Sequence, residues 1–167
     1  MARKRTVGGP GTNQYKVRGS ARKKRNISPE MMTVEMIPPD EFKRAKLARN
    51  RATNPAVLLS FAKRGYSLRA VAGNPNTPES ALILLANNDD PMVHLGLVAN
   101  PNTPAEALAK LVSSSDWEVV EQMSRHPNLT PEIITTIWAD ARINDYVLKR
   151  LAQHPNLPPH LRAILAF

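Results

Sequence analysis

Residues 71–78 read Val-Ala-Gly-Asn-Pro-Asn-Thr-Pro, and residues 97–104 repeat them as Leu-Val-Ala-Asn-Pro-Asn-Thr-Pro. Further copies stand at residues 123–131 and 151–158, and a degraded copy stands at residues 47–54. The starts at 47, 71, 97, 123 and 151 are 24, 26, 26 and 28 residues apart. Self-similarity at such a period indicates stacked supersecondary units, each in contact mainly with its neighbours. The chain is therefore predicted to be a repeat protein.

A short helix is predicted directly after each copy of the phrase. At Thr77-Pro78-Glu79, and likewise at Thr103-Pro104 and Thr130-Pro131, threonine suits the N-cap and proline suits the first helical position. Apolar residues follow three and seven positions after that proline, which places them on one buried face. These pairs are Ala81/Leu85, Ala107/Leu111, Ile134/Trp138 and Leu161/Leu165, with Val57/Phe61 counted from Asn54 in the degraded copy.

A second, shorter helix is predicted to precede each later copy. Its buried face is marked by apolar residues four positions apart: Val93/Leu97, Val119/Met123 and Val147/Leu151. The segment is so short that the sequence leaves open whether it is α-helical or 3₁₀-helical. Because neither helix is long enough to be stable alone in water, stacked neighbours must supply the core.

Three segments are predicted along the chain. Residues 1–27 cannot bury enough apolar surface to offset their ordering entropy, so they are predicted to be a basic arm that is disordered when free. Residues 28–46 are predicted to be a helical cap or linker, and residues 47–167 a five-repeat α-solenoid.

Within the cap, Ser28-Pro29-Glu30 has the N-cap, proline and acid of a helix start, and Pro38-Pro39 is expected to stop that helix. Asp40 is expected to open a basic helix that runs to about Arg49.

Composition excludes several classes of protein. The chain has no cysteine, which excludes disulfides, thiolate metal sites and cysteine nucleophiles. Its longest aliphatic run, residues 81–86, is too short for a membrane span, and no apolar segment follows the basic start as a secretory signal requires. No phosphate-binding loop, nucleophile elbow or zinc-protease motif is present. We therefore expect a non-enzymatic protein without a cofactor, located in the cytoplasm or in a phage particle assembled there.

The repeated pattern Val-Ala-x-Asn-Pro-Asn-Thr-Pro-x-x-x-Leu-x-x-Leu, with Asp and Val before the next copy, resembles the variant leucine-rich repeat family. The resemblance covers roughly residues 47–167 and implies an all-α fold in which α-helices and 3₁₀-helices alternate along a right-handed superhelix. Some members carry a cysteine-bound iron–sulfur cluster, which this chain, lacking cysteine, cannot hold. Separately, residues 8–15 look like basic leader segments of actinobacterial and actinophage proteins, a resemblance that implies no activity.

Charge is distributed unevenly along the chain, which has a net charge of +9. Residues 1–29 hold nine Lys/Arg and no acid, and residues 42–69 hold eight and no acid. Residues 70–121 hold seven acids and one base. The asymmetry indicates an interaction surface formed by the arm and the first repeat.

Nucleic acid is the partner that this surface fits best. Flexible basic arms follow phosphate backbones with little sequence specificity, and an aromatic side chain can stack on bases. The predicted contacts, with RNA or DNA, are Arg3, Lys4, Arg5, Tyr15, Lys16, Arg18, Arg22, Lys23, Lys24 and Arg25 in the arm, and Arg49, Arg51, Lys63, Arg64 and Arg69 in the first repeat. Two alternatives remain open: an adaptor whose arm docks on an acidic protein, for instance in a phage particle, and a merely solubilising tail.

Two columns of polar residues recur in the phrase: Asn50, Asn74, Asn100, His126 and His154 in one, and Asn76, Asn102, Asn128 and Asn156 in the other. We call the Asn/His-Pro-Asn turn of each copy the corner. Side chains in such columns are expected to bond backbone groups of the corners that would otherwise be unpaired. The alternative, a metal site between His126 and His154, is less favoured because both histidines replace asparagine and no carboxylate recurs beside them.

Two tryptophans and two aspartates invite a comparison with helical-repeat DNA glycosylases, which pair a carboxylate with aromatic walls. However, Trp138 is predicted to be core, and Asp116 is predicted to be the N-cap of a short helix, leaving Asp140 as the other candidate carboxylate. Trp117 is predicted to be exposed and to anchor a protein partner on the solenoid.

Overall fold

A computed structural model describes residues 27–114, 116–140 and 143–164, and within these ranges the chain is all-helical without strands. The helices are α1 (Glu41–Arg49), α2 (Pro55–Arg64), α3 (Leu68–Ala72), α4 (Glu79–Leu85), α5 (Pro91–Ala99), α6 (Ala105–Leu111), α7 (Trp117–Met123), α8 (Pro131–Trp138), α9 (Asp145–Ala152) and α10 (Pro159–Ile164). None of these described helices is long and apolar enough to cross a membrane.

The helices pack in two rows. Helices α1, α3, α5 and α7 contact one another in chain order, as do α2, α4 and α6, and neighbouring helices of the two rows are also in contact. Between the rows lies a core of mostly aliphatic buried side chains, in which Phe61 is the one fully buried Phe, Tyr or Trp among the described residues. Helices too short to be stable alone are thus held by the equivalent helices of adjacent repeats.

The helix predicted to start at Ser28 forms only as a short 3₁₀ helix, with Ser28 at its N-cap position and Pro29 at its first position. The chain makes two isolated 3₁₀ turns, Pro29–Met31 and Val34–Met36, and the Ser28 side chain caps neither. The carbonyl oxygens of Pro29 and Glu30 instead accept hydrogen bonds from the backbone and side-chain nitrogens of Asn54, at 3.3 and 3.2 Å. These tertiary bonds compete with the intrahelical ones and tie the segment to the first repeat.

The start of α1 is as predicted. The Asp40 carboxylate caps the helix by accepting from the Lys43 backbone N–H at 2.8 Å. The helix ends at Arg49, and its last turn carries Lys46 and Arg49, which complement the negative end of the helix dipole.

The predicted buried face after each corner is confirmed in α2, α4 and α6, but in α8 it is wrong for Trp138. Ile133, Ile134 and Ile137 are the buried residues of α8, while Trp138 is only half-buried against the core. The proline of this copy stands one position later than in the others, because Thr130 occupies the place that Pro78 and Pro104 hold elsewhere. Counting from the proline therefore shifted the predicted face by one residue. Leu165 lies outside the described residues.

The threonine caps are correct in one copy only. Thr130 accepts from the Ile133 N–H at 3.4 Å, as an N-cap does. In contrast, the buried hydroxyls of Thr77 and Thr103 donate to the carbonyl oxygens of Val71 and Leu97, six residues upstream, at 2.6 and 2.7 Å. These hydroxyls close the corner instead of starting the helix.

The second helix of each repeat is α-helical in α3, α5, α7 and α9, which settles the open alternative and differs from the 3₁₀-helices that the family resemblance implies. The predicted apolar residues of α5, α7 and α9 are all buried, as expected: Val93/Leu97, Val119/Met123 and Val147/Leu151.

Candidate nucleic-acid interface

The corners form a ladder of side-chain hydrogen bonds from each repeat to the preceding one, as predicted for the two polar columns. The side-chain amide of Asn100 donates to the carbonyls of Ala72 and Asn74 at 2.8 and 2.9 Å, while its oxygen accepts from the Asn102 N–H. Asn74 bonds the first repeat in the same way. In the second column, the Asn102 amide donates to Pro75 at 2.8 Å. Each corner is thereby fixed by its predecessor.

Histidines continue this ladder at the later corners. The Nε2 of His126 donates to the Asn100 carbonyl at 2.8 Å, and its Nδ1 accepts from the Asn128 N–H at 3.2 Å. His154 bonds the His126 carbonyl and the Asn156 N–H in the same manner. Both ring nitrogens of each histidine are therefore engaged by the backbone. Within the described residues, no cluster of three metal-ligating side chains occurs.

This arrangement requires the neutral form of His126. Burial lowers the pKa of His126 below its ordinary value of 6.5, the bond to the Asn100 carbonyl opposes that shift, and the charge of His154 adds to it. A proton on Nδ1 would remove the acceptor that the Asn128 N–H uses.

A groove of about 920 Å³ opens between α1 and α3, and we call it the first groove. Arg49, from the last turn of α1, Arg51, from the corner that follows, and Arg69, from α3, all line it. The sequence-predicted arginines of the first repeat are thus brought to one concave surface. Stacking of α3 on α1 causes this convergence, since Arg49 lies on α1 and Arg69 lies on α3.

The three arginines are exposed, and within the described part of the chain none has a hydrogen-bonding, ion-pair or aromatic partner. One acid, Asp90, also lines the groove, and its carboxylate caps α5 by accepting from the Met92 N–H at 2.9 Å. The groove therefore carries a net positive charge whose donors are free to bind an anion.

Two other predicted contacts, Lys63 and Arg64, are exposed in the last turn of α2 and do not line this groove, although Gly65 beside them does. A further base of the first repeat, Arg44, is engaged in structural contacts. Its guanidinium donates to the carbonyls of Pro38 and Pro39, and it lies 4.3 Å from the centroid of the Tyr66 ring.

An equivalent groove of about 700 Å³ lies two repeats further on, between α5 and α7, and we call it the third groove. Counted from the corner residues, Ala99, Pro101 and Glu121 stand where the first groove has Arg49, Arg51 and Arg69. Glu118 adds a second acid. The first groove is thus lined by three arginines and one acid, whereas the third is lined by two acids and one base, Arg125.

The remaining predicted sites fare differently. The arm residues between Arg3 and Arg25 lie outside the described residues. Trp117 is not the freely exposed side chain expected from the sequence: it begins α7 and is half-buried against the core, because covering part of an indole ring is favourable.

In the described part of the chain, the cavity that Asp140 lines includes neither Trp117 nor Trp138. Asp116 caps α7 as predicted, accepting from the Glu118 N–H at 2.9 Å. Asp140 lines a cavity beside α6 and α8 to which neither Asp116 nor Trp117 contributes.

Sequence reasoning missed one basic cluster, formed by Arg125, Tyr146 and Arg150. Arg125 and Arg150 both donate to the Tyr146 hydroxyl. A signal for it was available, since Arg125 stands at the corner position of Arg49, and Lys149, next to Arg150, stands at that of Arg69.

No protein-family model matches the chain, and comparisons with curated proteins and with solved structures give no match either. The assignment of an interface therefore depends on the charge and geometry of the grooves.

Proposed function

We propose that this protein is a non-enzymatic scaffold that binds RNA or DNA through its phosphates. The first groove supplies one set of cations, and the basic arm, which directly precedes the described cap in sequence, supplies nine more. Sequence-independent affinity of this kind comes from the counterions that each neutralised phosphate releases. The proposal places the protein in the cytoplasm, or in a phage particle assembled there.

The observation that carries the proposal is the set of unpaired arginines in the first groove. Structural arginines normally bond carbonyls, carboxylates or aromatic rings, as Arg44 does in this chain. Three exposed arginines that converge without such partners among the described residues create a positive local potential, to which the nine bases of the arm add charge.

The proposal also covers architecture and a protein partner. We propose that the stacked repeats wind into a right-handed superhelix of the variant leucine-rich repeat type, supported by the repeated corner ladder. The later repeats, with their lower charge and the half-exposed Trp117, would then contact a protein partner.

A second candidate function, a structural adaptor, is favoured by exposed apolar side chains next to the arm. Met31 is 72% exposed and Phe42 is 79% exposed. Side chains of this size on the surface are typical of protein–protein contacts. An adaptor would purify free of nucleic acid and form a discrete complex that resists salt.

The test is a salt titration of the affinity of the full chain for a short duplex and for a single strand. Replacement of Arg49, Arg51 and Arg69 by glutamine should reduce the slope of log K against log salt on the duplex by about 2.7, because each phosphate that is no longer neutralised accounts for about 0.9. Replacement of the nine arm bases by glutamine should reduce it further.

The matched control removes positive charges elsewhere, with Lys110→Gln and Arg162→Gln, and the two variants are compared per charge removed. It should retain most of the slope, because general charge contributes less than contacts made by a defined site. Equal reductions of the slope in the groove variant and the control, or no binding of the unaltered chain at low salt, would contradict the proposal.

A further inference from the structure

The cluster of Arg125, Tyr146 and Arg150 has a hydrogen-bonding pattern that is complementary to an anion. Arg150 donates to the Tyr146 hydroxyl oxygen at 2.7 Å, and Arg125 donates to the same oxygen. The guanidinium carbons lie 4.7 and 5.7 Å from the centroid of the Tyr146 ring. One phenol thus holds two cations together.

The two donated bonds determine which hydrogen-bonding capacity is left on the hydroxyl of Tyr146. A hydroxyl has two acceptor lone pairs and one donor hydrogen. Because both arginines donate to its oxygen, the hydrogen of Tyr146 is left to point at an acceptor. Each guanidinium has five N–H donors, of which this contact uses one. The remaining hydrogen-bonding groups of the cluster are therefore donors, of which the Nε of Arg150 is buried and not open to a ligand.

The charge of the cluster is not compensated by the described protein. No carboxylate of the described residues lies within 4.0 Å of either guanidinium, although Glu118 and Glu121 line the third groove beside Arg125. Lys149, exposed on α9, adds a third positive charge. Two like charges brought to one hydroxyl repel each other, and a bound anion would relieve that repulsion.

We propose that Arg125, Tyr146 and Arg150 form a binding site for one phosphate group. A phosphate offers several acceptor oxygens at the spacing that arginine forks match in bidentate contacts. Tyr146 would both orient the arginines and donate its hydroxyl hydrogen. This site lies three corners beyond the first groove and does not require the first groove to bind nucleic acid.

The experiment is a titration of the isotope-labelled full chain with inorganic phosphate at constant ionic strength, followed by NMR of the arginine side chains. The signals of Arg125 and Arg150 should shift saturably, with a Kd on the order of millimolar, while Arg162, an exposed arginine on α10, should not shift. Signals that move linearly without saturation, or that move equally at all three arginines, would overturn the proposal.

Variants sharpen the result. Arg150→Gln should weaken phosphate binding by about tenfold, and Arg150→Lys should weaken it less because the charge is kept. Tyr146→Phe retains the ring but removes the shared hydroxyl, and should weaken binding by a few-fold. Unchanged affinity in Arg150→Gln, with the fold intact by circular dichroism, would overturn the proposal; Arg69→Gln should leave affinity unchanged.

A second titration, with a short duplex, identifies the source of the phosphate. If the duplex shifts the same arginine signals and competes with inorganic phosphate, the site binds the nucleic-acid backbone. If the duplex leaves these signals unchanged while inorganic phosphate saturates them, the site binds a free phosphate, and the proposal still holds. Failure of the first groove to bind nucleic acid would not alter the phosphate titration, so the two proposals fail separately.

Discussion

The first and third grooves share one framework and differ only in the side chains placed on it. The Asn74 amide donates two hydrogen bonds to the preceding repeat and His126 donates one, and each accepts one bond within its own corner. On this framework the first groove carries Arg49, Arg51 and Arg69, whereas the third carries Ala99, Pro101 and Glu121.

The difference separates two roles for the residues of a repeat. The buried column of Asn74, Asn100, His126 and His154 holds the stack together and varies little in chemistry, because each member must pair the same backbone groups. The exposed positions next to them carry no structural bond in the first groove, so their charge is free to determine what the groove binds. Function in this chain is therefore expected to follow the exposed positions.

The largest effect is expected from exchanging the two grooves. Giving the first groove the residues of the third, with Arg49→Ala, Arg51→Pro and Arg69→Glu, removes three cations and adds an acid. Affinity for duplex at about 0.15 M salt should fall about 100- to 1000-fold, as the salt dependence of phosphate contacts implies. Binding of labelled duplex, measured by fluorescence anisotropy, checks this.

The reverse exchange is its control. Ala99→Arg, Pro101→Arg and Glu121→Arg give the third groove the side chains of the first, and should restore at least part of the affinity to a chain whose first groove has been neutralised. No gain in affinity would mean that position along the chain, and not groove chemistry, determines binding.

The next largest effect tests the shared framework. Asn100→Ala leaves the buried carbonyls of Ala72 and Asn74 without their side-chain donor, and should lower the free energy of unfolding by about 2–3 kcal/mol. Asn100→His should lower the free energy of unfolding much less, because His126 fills the equivalent place one repeat later. Asn102→Ala, which removes one exposed bond, should cost about 0.5–1 kcal/mol. Chemical denaturation of the three variants checks the order.

A smaller effect on stability is expected at the contact between α3, which borders the first groove, and α5, which borders the third. A Cβ at Gly96 would lie 2.8 Å from the Ala72 Cβ and 2.8 Å from the Arg69 carbonyl oxygen, so the helices would have to move apart. Gly96→Ala should cost about 1–3 kcal/mol. Gly73→Ala is the matched control: its Cβ would meet nothing closer than 3.7 Å, and stability should be unchanged or slightly higher. Thermal melts that rank the two variants equally would contradict the close approach.

The smallest effect is the dependence of stability on pH, which should differ between corners that carry asparagine and corners that carry histidine. Since burial lowers the pKa of His126 below 6.5, the unfolded chain takes up a proton first as the pH falls. Stability is therefore full above about pH 6.5 and declines as the pH falls from there through the lowered value. Hydrogen exchange should show this loss around α7 and α8 and not around α3. In His126→Asn the decline should be reduced; an identical pH profile would contradict the account.

The sequence was sufficient to predict the features that recur unchanged from one repeat to the next. The polar columns and the buried pairs of α4 and α6 were predicted correctly because every copy has the same backbone groups to pair and the same face to bury. Prediction failed for side chains that can pair with more than one backbone group and for the helix whose proline is displaced. The buried hydroxyls of Thr77 and Thr103 found a nearby carbonyl instead of a helix end. The proline before α8 stands one position later than in the other copies, so counting from it placed Trp138 on the buried face in error.

The candidate sites were predictable only in part. The basic character of the first repeat is evident from the sequence, but the selection of Arg49, Arg51 and Arg69 over Lys63 and Arg64 depends on how α3 packs on α1. The meeting of Arg125 with Tyr146, 21 residues apart, likewise depends on the stacking of successive repeats. Half-burial of Trp117 has the same origin, since its partner is the core of the stack.

The most direct test of the central claim is a map of where nucleic acid contacts the full chain. Backbone amide shifts on titration with a short duplex should be largest at residues 45–51 and 67–75, which line the first groove, and small at residues 98–101 and 118–122 of the third. That pattern would show that the exposed arginines of a shared framework select the ligand. Larger shifts in the third groove, or equal shifts in both, would contradict it.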